Sequence, residues 1–171
     1  MSKKYLGFVA LFLFLIMGFV AIDLPVFQVP IGWPKPVYDF KKNNFSNEKI
    51  MLGRVLFYDP ILSKDNTISC ASCHSPYNAF AHTDHALSHG IGDSIGSRNA
   101  PALFNLAWQK SFMWDGAIVE LDEQAVFPIT HPKEMGEKLN HVIQKINNTE
   151  KYKNLISINS LISAFKTAIA L

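Results

Sequence analysis

Cys70, Cys73 and His74 stand together in the order C-x-x-C-H, and the chain has no other cysteine. That spacing has a chemical use. Thiols three positions apart fall on one helical turn, where each can form a thioether to one of the two vinyl groups of a haem. The next residue then places an imidazole under the iron. Its second ring nitrogen can be oriented by a backbone carbonyl. Two other uses of paired thiols fit less well. A thioredoxin-like redox pair needs a βαβ setting, and half of a zinc site needs two further ligands; neither is visible here. One covalently bound haem c is therefore expected.

What else reaches the iron decides the chemistry. An electron carrier fills the sixth position with Met or His, whereas a catalyst keeps it open or displaceable. His82, His85 and His89 follow His74 in a loop-like region, and any of them could cover the distal face. Met113 and Met135 are alternative ligands, and each reads equally as a filler of core gaps. Residue types alone leave these open.

The elements that must position these groups read as helices joined by long loops. Residues 46–58 carry the i,i+4 pairs Met51/Val55 and Leu52/Leu56, and Asp59 with Pro60 stops that helix. A short helix carries Cys70 to His74. Residues 75–113 are rich in Gly, Ser, Asn and His and show no sustained period, a length of irregular chain that is usually functional or disordered. Phe80, Leu103 and Trp108, interleaved there, argue that it packs around something. Leu139, Val142, Ile143 and Ile146 mark an amphipathic helix closed by Asn147 and Asn148. Ile158, Leu161, Ile162, Phe165 and Ile169 mark a last one. The class is all-α: a cytochrome c-like haem domain with long irregular loops, behind an N-terminal membrane-spanning or signal helix.

With 171 residues, the chain holds one ordinary domain and an appendage. Residues 1–22 read as a signal anchor or signal peptide, 23–45 as a Pro-rich tether, 46–150 as the haem domain and 151–171 as a helical stub. Setting Lys3 and Lys4 aside leaves basic and acidic residues equal at 14 each, so nothing favours nucleic acid as a partner. Residues 5–22 carry no charge, and about 18 apolar residues is near the minimum for crossing a bilayer. Lys3 and Lys4 would stay inside and the remainder would be exported, into the periplasm in a bacterial cell.

Longer motifs surround the haem pattern. Leu52-Gly53-Arg54 leads to Asp59-Pro60, and Thr67 leads to His74. Then come Ala86 to Gly90, Arg98-Asn99-Ala100-Pro101, Trp114-Asp115-Gly116, Glu123-Gln124 with Pro128, and Pro132 to Met135. In order and spacing these resemble the N-terminal haem domain of the bacterial di-haem cytochrome c peroxidases. The wider group also includes enzymes that oxidise protein tryptophans. The resemblance implies a peroxidatic haem on Cys70, Cys73 and His74. It implies that His89, beside Gly90, is a displaceable distal iron ligand, with His85 as fallback. It casts Gln124 and Glu134 as the distal pair that positions peroxide and moves its proton, and Trp114 as an electron relay between haems. Without it, Glu134 reads as a first-turn helix carboxylate, Gln124 as an exposed helix residue and Trp114 as a core aromatic. The implied activity is reduction of hydrogen peroxide to water with electrons from a small cytochrome or other redox protein. The alternative is a mono-haem electron-transfer or haem-binding protein without turnover.

The departures matter too. The family usually has Arg after Trp-Asp-Gly, where this chain has Ala117. No Cys follows Cys73, so the second haem of the family would have to come from another haem-bearing chain, and the sequence reads as a peroxidatic half. Asn99 matches a side-chain ligand of the family's Ca2+ site, but the partner carbonyls have no counterpart here. The apolar run predicts that the protein fractionates with membranes, its haem domain outside; recovery of a soluble chain starting near Asp23 would show a cleaved signal instead.

Overall fold

The structure, a computed structural model, describes residues 27–43 and 45–153. The apolar run 5–22 and the last expected helix lie outside these residues. Among the described residues no helix is long and apolar enough to cross a membrane.

Helix α1, Asn47–Tyr58, begins where Ser46 Oγ accepts the Lys49 N–H at 3.3 Å and ends at Asp59. Its apolar stripe buries Leu52 and Leu56, while Met51 stays exposed. A 3-10 turn, Pro60–Leu62, follows, with the Ile61 N–H donating to Asp59 Oδ1. Helix α2, Cys70–Cys73, is one turn long. Ser69 at its N-cap donates its N–H to Ser72 Oγ at 3.1 Å. Helices α3, Leu121–Gln124, and α4, Val126–Thr130, were not anticipated from periodicity, because neither is long enough to show one. Helix α5, Leu139–Asn148, buries Val142 and Ile146, and α6, Glu150–Lys153, buries Tyr152. Leu52, Leu56, Ile129, Met135, Val142 and Ile146 share one core.

The described residues are thus helical, as expected, and their β features are isolated bridges. Ser75–Ala81, His89–Ile95 and Phe112–Ile118 each close a tight loop in the irregular region. The described part of the Pro-rich segment, 27–43, is irregular, with turns at 31–32 and 40–42, and it is docked rather than free. Val37 and Tyr38 donate their N–H groups to Ala107 O, and Trp108 Nε1 donates to Pro34 O at 2.8 Å. Tyr38 OH donates to Asp122 Oδ1 at 2.8 Å, pinning α3.

One buried ion pair joins the two halves of the fold. Glu137 is 4% exposed. Its Oε1 accepts from Lys138 N and lies 3.0 Å from His141 Nδ1; its Oε2 accepts from Lys145 Nζ at 2.9 Å. Lys145 also donates to Ser63 O and Asn66 Oδ1, just upstream of the haem motif. Burial alone would push the Glu137 carboxyl up; the bonds from Lys145, Lys138 and His141 outweigh it and hold it at about 2.

Removing the lysine strands a buried carboxylate, so Lys145→Met is expected to destabilise the holoprotein by about 3–5 kcal/mol in chemical denaturation. A carboxyl lowered on folding stabilises fully above its ordinary 4.5, and that contribution is lost as pH falls through about 2. Over that window wild-type stability should therefore fall more steeply than that of Lys145→Met.

Candidate functional site

A cavity of about 380 Å³ lies between the haem-motif turn and the segments that follow α3 and α4. Cys70, Cys73 and His74 line one part of its wall; Gln124, His131 and Glu134 line another, with Met113 and Trp114 at its side. Leu56, Leu62, Ile68, Leu103 and Ile129 make much of the rest apolar.

Burial acts on both thiols of the motif. The Cys70 thiol is pushed up to about 11 by burial, and burial and then the nearby Glu134 charge push the Cys73 thiol up. They are quiet neutral thiols rather than reactive thiolates. His74 Nδ1 lies 2.8 Å from Phe80 O. A carbonyl only accepts, so Nδ1 carries the hydrogen and Nε2 keeps its lone pair for a metal. Burial holds the His74 ring below the usual histidine range, favouring the neutral, ligating form. Phe80 reaches this place because Ala79 and Phe80 both take positive φ, turning the chain back so that Phe80 N and Ala81 O pair with Ser75. An apolar cavity, two thiols and an oriented imidazole on one wall fit haem c.

Another part of the wall is a turn. Glu134 and Gly136 both donate their N–H groups to His131 O at 3.0 Å, with Gly136 at φ 62. Glu134 is therefore a turn residue and not part of a helix first turn. Burial pushes its carboxyl above the usual range, and the His131 charge offsets part of that. Gln124, at the end of α3, is half-buried, and its Nε2 lies 3.6 Å from Met113 Sδ. Lys64 N donates to Met135 O at 2.9 Å, and Ile91 N to Glu134 O at 2.8 Å, so both flanking loops hold the turn. Gly90 allows that approach: a Cβ there would lie 2.1 Å from Lys133 O.

Trp114 is 64% exposed and is no core residue. Its Nε1 donates to Asn99 O at 2.7 Å, and Arg98 pairs with Asp115 at 3.0 Å, fixing the loop. Asn99 Nδ2 donates to His82 O, while its buried Oδ1 has no hydrogen-bond partner. Among the described residues no group of three or more His, Cys, Asp or Glu side chains is placed to hold a metal ion.

The histidines expected over the iron gather elsewhere in this arrangement. The His89 ring does not line the cavity; its Nδ1 lies 2.6 Å from Asp93 Oδ1. It also packs on His85, which packs on His82. Only the His89 backbone meets the site, its carbonyl 3.5 Å from Cys73 Sγ. Conversely, His131 lies in the wall and was missed from sequence. Its signal was the i,i+3 spacing to Glu134 across Pro132, which a turn brings together.

The family model described as di-haem cytochrome c peroxidase matches residues 47–166. A methylamine utilization protein MauG of Methylorubrum extorquens is 34% identical over 135 residues, covering 78% of this chain and 37% of that protein. The cytochrome c peroxidase Ccp of Escherichia coli is 38% identical over 107 residues, covering 62% and 23%. A crystal structure of a MauG-like protein associated with microbial copper homeostasis superposes with a TM-score of 0.70 at 29% identity, covering 85% of this chain and 47% of the other. The chain thus spans well under two thirds of the proteins it matches. By its sequence motifs, its fold and this cavity, the chain belongs to the di-haem cytochrome c peroxidase family.

Proposed function

We propose that this chain is a peroxidatic haem domain that reduces hydrogen peroxide to water. The observation that carries the reading is the shared cavity, whose wall holds a thiol pair, an oriented imidazole and a buried carboxyl. Cys70, Cys73 and His74 would hold haem, which would supply the redox chemistry that reduces peroxide. The chain's own residues do the rest. Gln124 orients the peroxide from the end of α3. Glu134 takes a proton from the near oxygen and returns it to the far one, which makes the leaving group water. Burial favours the protonated carboxyl.

Electrons enter from a small cytochrome or similar redox protein, through a second haem-bearing domain or chain. The exposure of Trp114 beside the cavity supports its role as the relay to that partner. The unpartnered Asn99 Oδ1 next to Trp114 supports one ligand of a Ca2+ site. His89 belongs to the proposal as a resting ligand, and ligation requires its ring to leave Asp93. The apolar N-terminal run supports export to the periplasm and anchoring in the inner membrane. A mono-haem electron carrier is the second reading, favoured by Met113 and Met135 in the cavity wall.

Denatured protein is expected to keep a haem stain, and Cys70→Ala/Cys73→Ala to lose it; a persisting stain would remove the attachment assignment. In stopped-flow mixing of pre-reduced holoprotein with H2O2, followed in the Soret band, Glu134→Gln should slow the reaction about 10²–10⁴-fold with haem content unchanged. Indifference to that change would sink the catalytic reading. A haem that stays six-coordinate and low-spin after reduction would favour the electron carrier.

A further inference from the structure

The segment that leads into the domain is no loose tether. Its docking starts at Phe27, whose ring packs on Phe40 with centroids 4.4 Å apart and on Trp108 at 5.8 Å. Trp33 meets Trp108 edge-on at 4.9 Å. Trp108 gives its Nε1–H to Pro34 O, and Ala107 O takes the Val37 and Tyr38 N–H groups. Residues 27–38 are thus fixed to the body of the domain.

This fixed path presents apolar side chains outward. Trp33 N donates to Pro30 O at 3.0 Å, closing a turn in which Gly32 takes φ 84. A positive φ at the third position is what a type II turn requires, and glycine supplies it. Ile31, just before it, stands at the tip of the turn and is fully exposed. Val29, Trp33 and Val37 are each about half exposed. Single exposed apolar residues are ordinary, but here they follow one another along one short segment. No charged residue occurs from 24 to 34, and Lys35 closes the stretch.

What covers these side chains follows from their place in the chain. The apolar run ends at Ile22, five positions before Phe27. Five residues, fully extended, reach no more than about 18 Å. With residues 5–22 in a bilayer, Phe27 therefore lies within that distance of the hydrocarbon edge, and the headgroup layer takes up about 5–8 Å of it. Because Phe27 is packed on the domain, the domain cannot drift from the bilayer, and the exposed turn lies where the chain enters. Tryptophan favours the headgroup layer, where one end of its ring system is apolar and the other wet. A neighbouring lysine can lay its stem on the apolar side and keep its ammonium among the headgroups.

We propose that the turn at 30–33 docks on the periplasmic surface of the inner membrane. Ile31 enters the boundary between headgroups and acyl chains, and Trp33 lies in the headgroup layer. The anchor and this turn then make two attachments, which restrict the tilt of the haem domain as well as its distance from the bilayer. The proposal rests on residues 5–22 being a retained membrane anchor, and the experiment separates the two.

Full-length holoprotein carrying Ile31→Cys is labelled with a nitroxide and reconstituted into vesicles of phosphatidylethanolamine and phosphatidylglycerol, with wild type taken through the same labelling as the blank. The side chain at 31 is fully exposed, so the exchange leaves the fold intact, which an unchanged Soret spectrum checks. Collision rates with oxygen and with a water-soluble nickel chelate give the depth of the label. It is expected about 5–10 Å below the level of the lipid phosphates, the depth of interfacial segments. A label freely reached by the nickel chelate, in protein that stays with the vesicles, would overturn the docking and leave the anchor standing. An immobilised label reached by neither reagent would overturn it in favour of a protein occupant. Protein that does not stay with the vesicles would overturn the anchor and the docking together.

Discussion

Lys145 uses three donors on three partners from distant parts of the chain: Glu137, Ser63 O and Asn66. Ser63 is itself fully buried, and its Oγ accepts from Thr67 and Ile68 N–H groups, just before Cys70. Glu137 follows the Glu134 turn directly and donates its N–H to Ile129 O on α4. Through one ammonium group, the approach to the haem motif and the carboxylate turn are held at a fixed separation. A buried pair of this kind is costly to desolvate and adds little net stability over apolar packing. What it supplies is placement: a hydrophobic contact could slide by a residue, whereas three directed bonds to one cation cannot.

The cavity's electrostatics follow from that placement. Its wall is mostly apolar, and each ionisable group in it is either neutral, paired or oriented. Both thiols are driven neutral by burial, His74 is driven neutral and aimed by Phe80 O, and Glu134 is pushed toward its protonated form. Only His131 offsets the last of these.

Much of the local structure was legible. The apolar pairs of α1 and Asp59-Pro60 mark that helix to within a residue, because stripes and stop signals are local features. The amphipathic run of α5 is equally plain. The short helices α3 and α4 were not, since four or five residues carry no period. The irregular region was legible as irregular, but not in its course. Three isolated bridges and several positive-φ residues set that course, and they depend on contacts with segments far along the chain.

The C-x-x-C-H sequence by itself set the expectation of haem attachment, because two thiols and an imidazole on one turn need nothing remote to define their spacing. The surrounding motifs determined the family in the same local way. Which face those residues share with Gln124, Glu134 and His131 was decided only by the tertiary structure. So was the position of the His89 ring, drawn to Asp93 and His85 rather than into the cavity. The reason is physical: a ligand's identity is written in its residue type, but its direction is set by hydrogen bonds whose partners lie in other segments. For Glu134 those partners are Ile91 N and the Lys145–Glu137 pair beyond it, and no window of sequence contains them all.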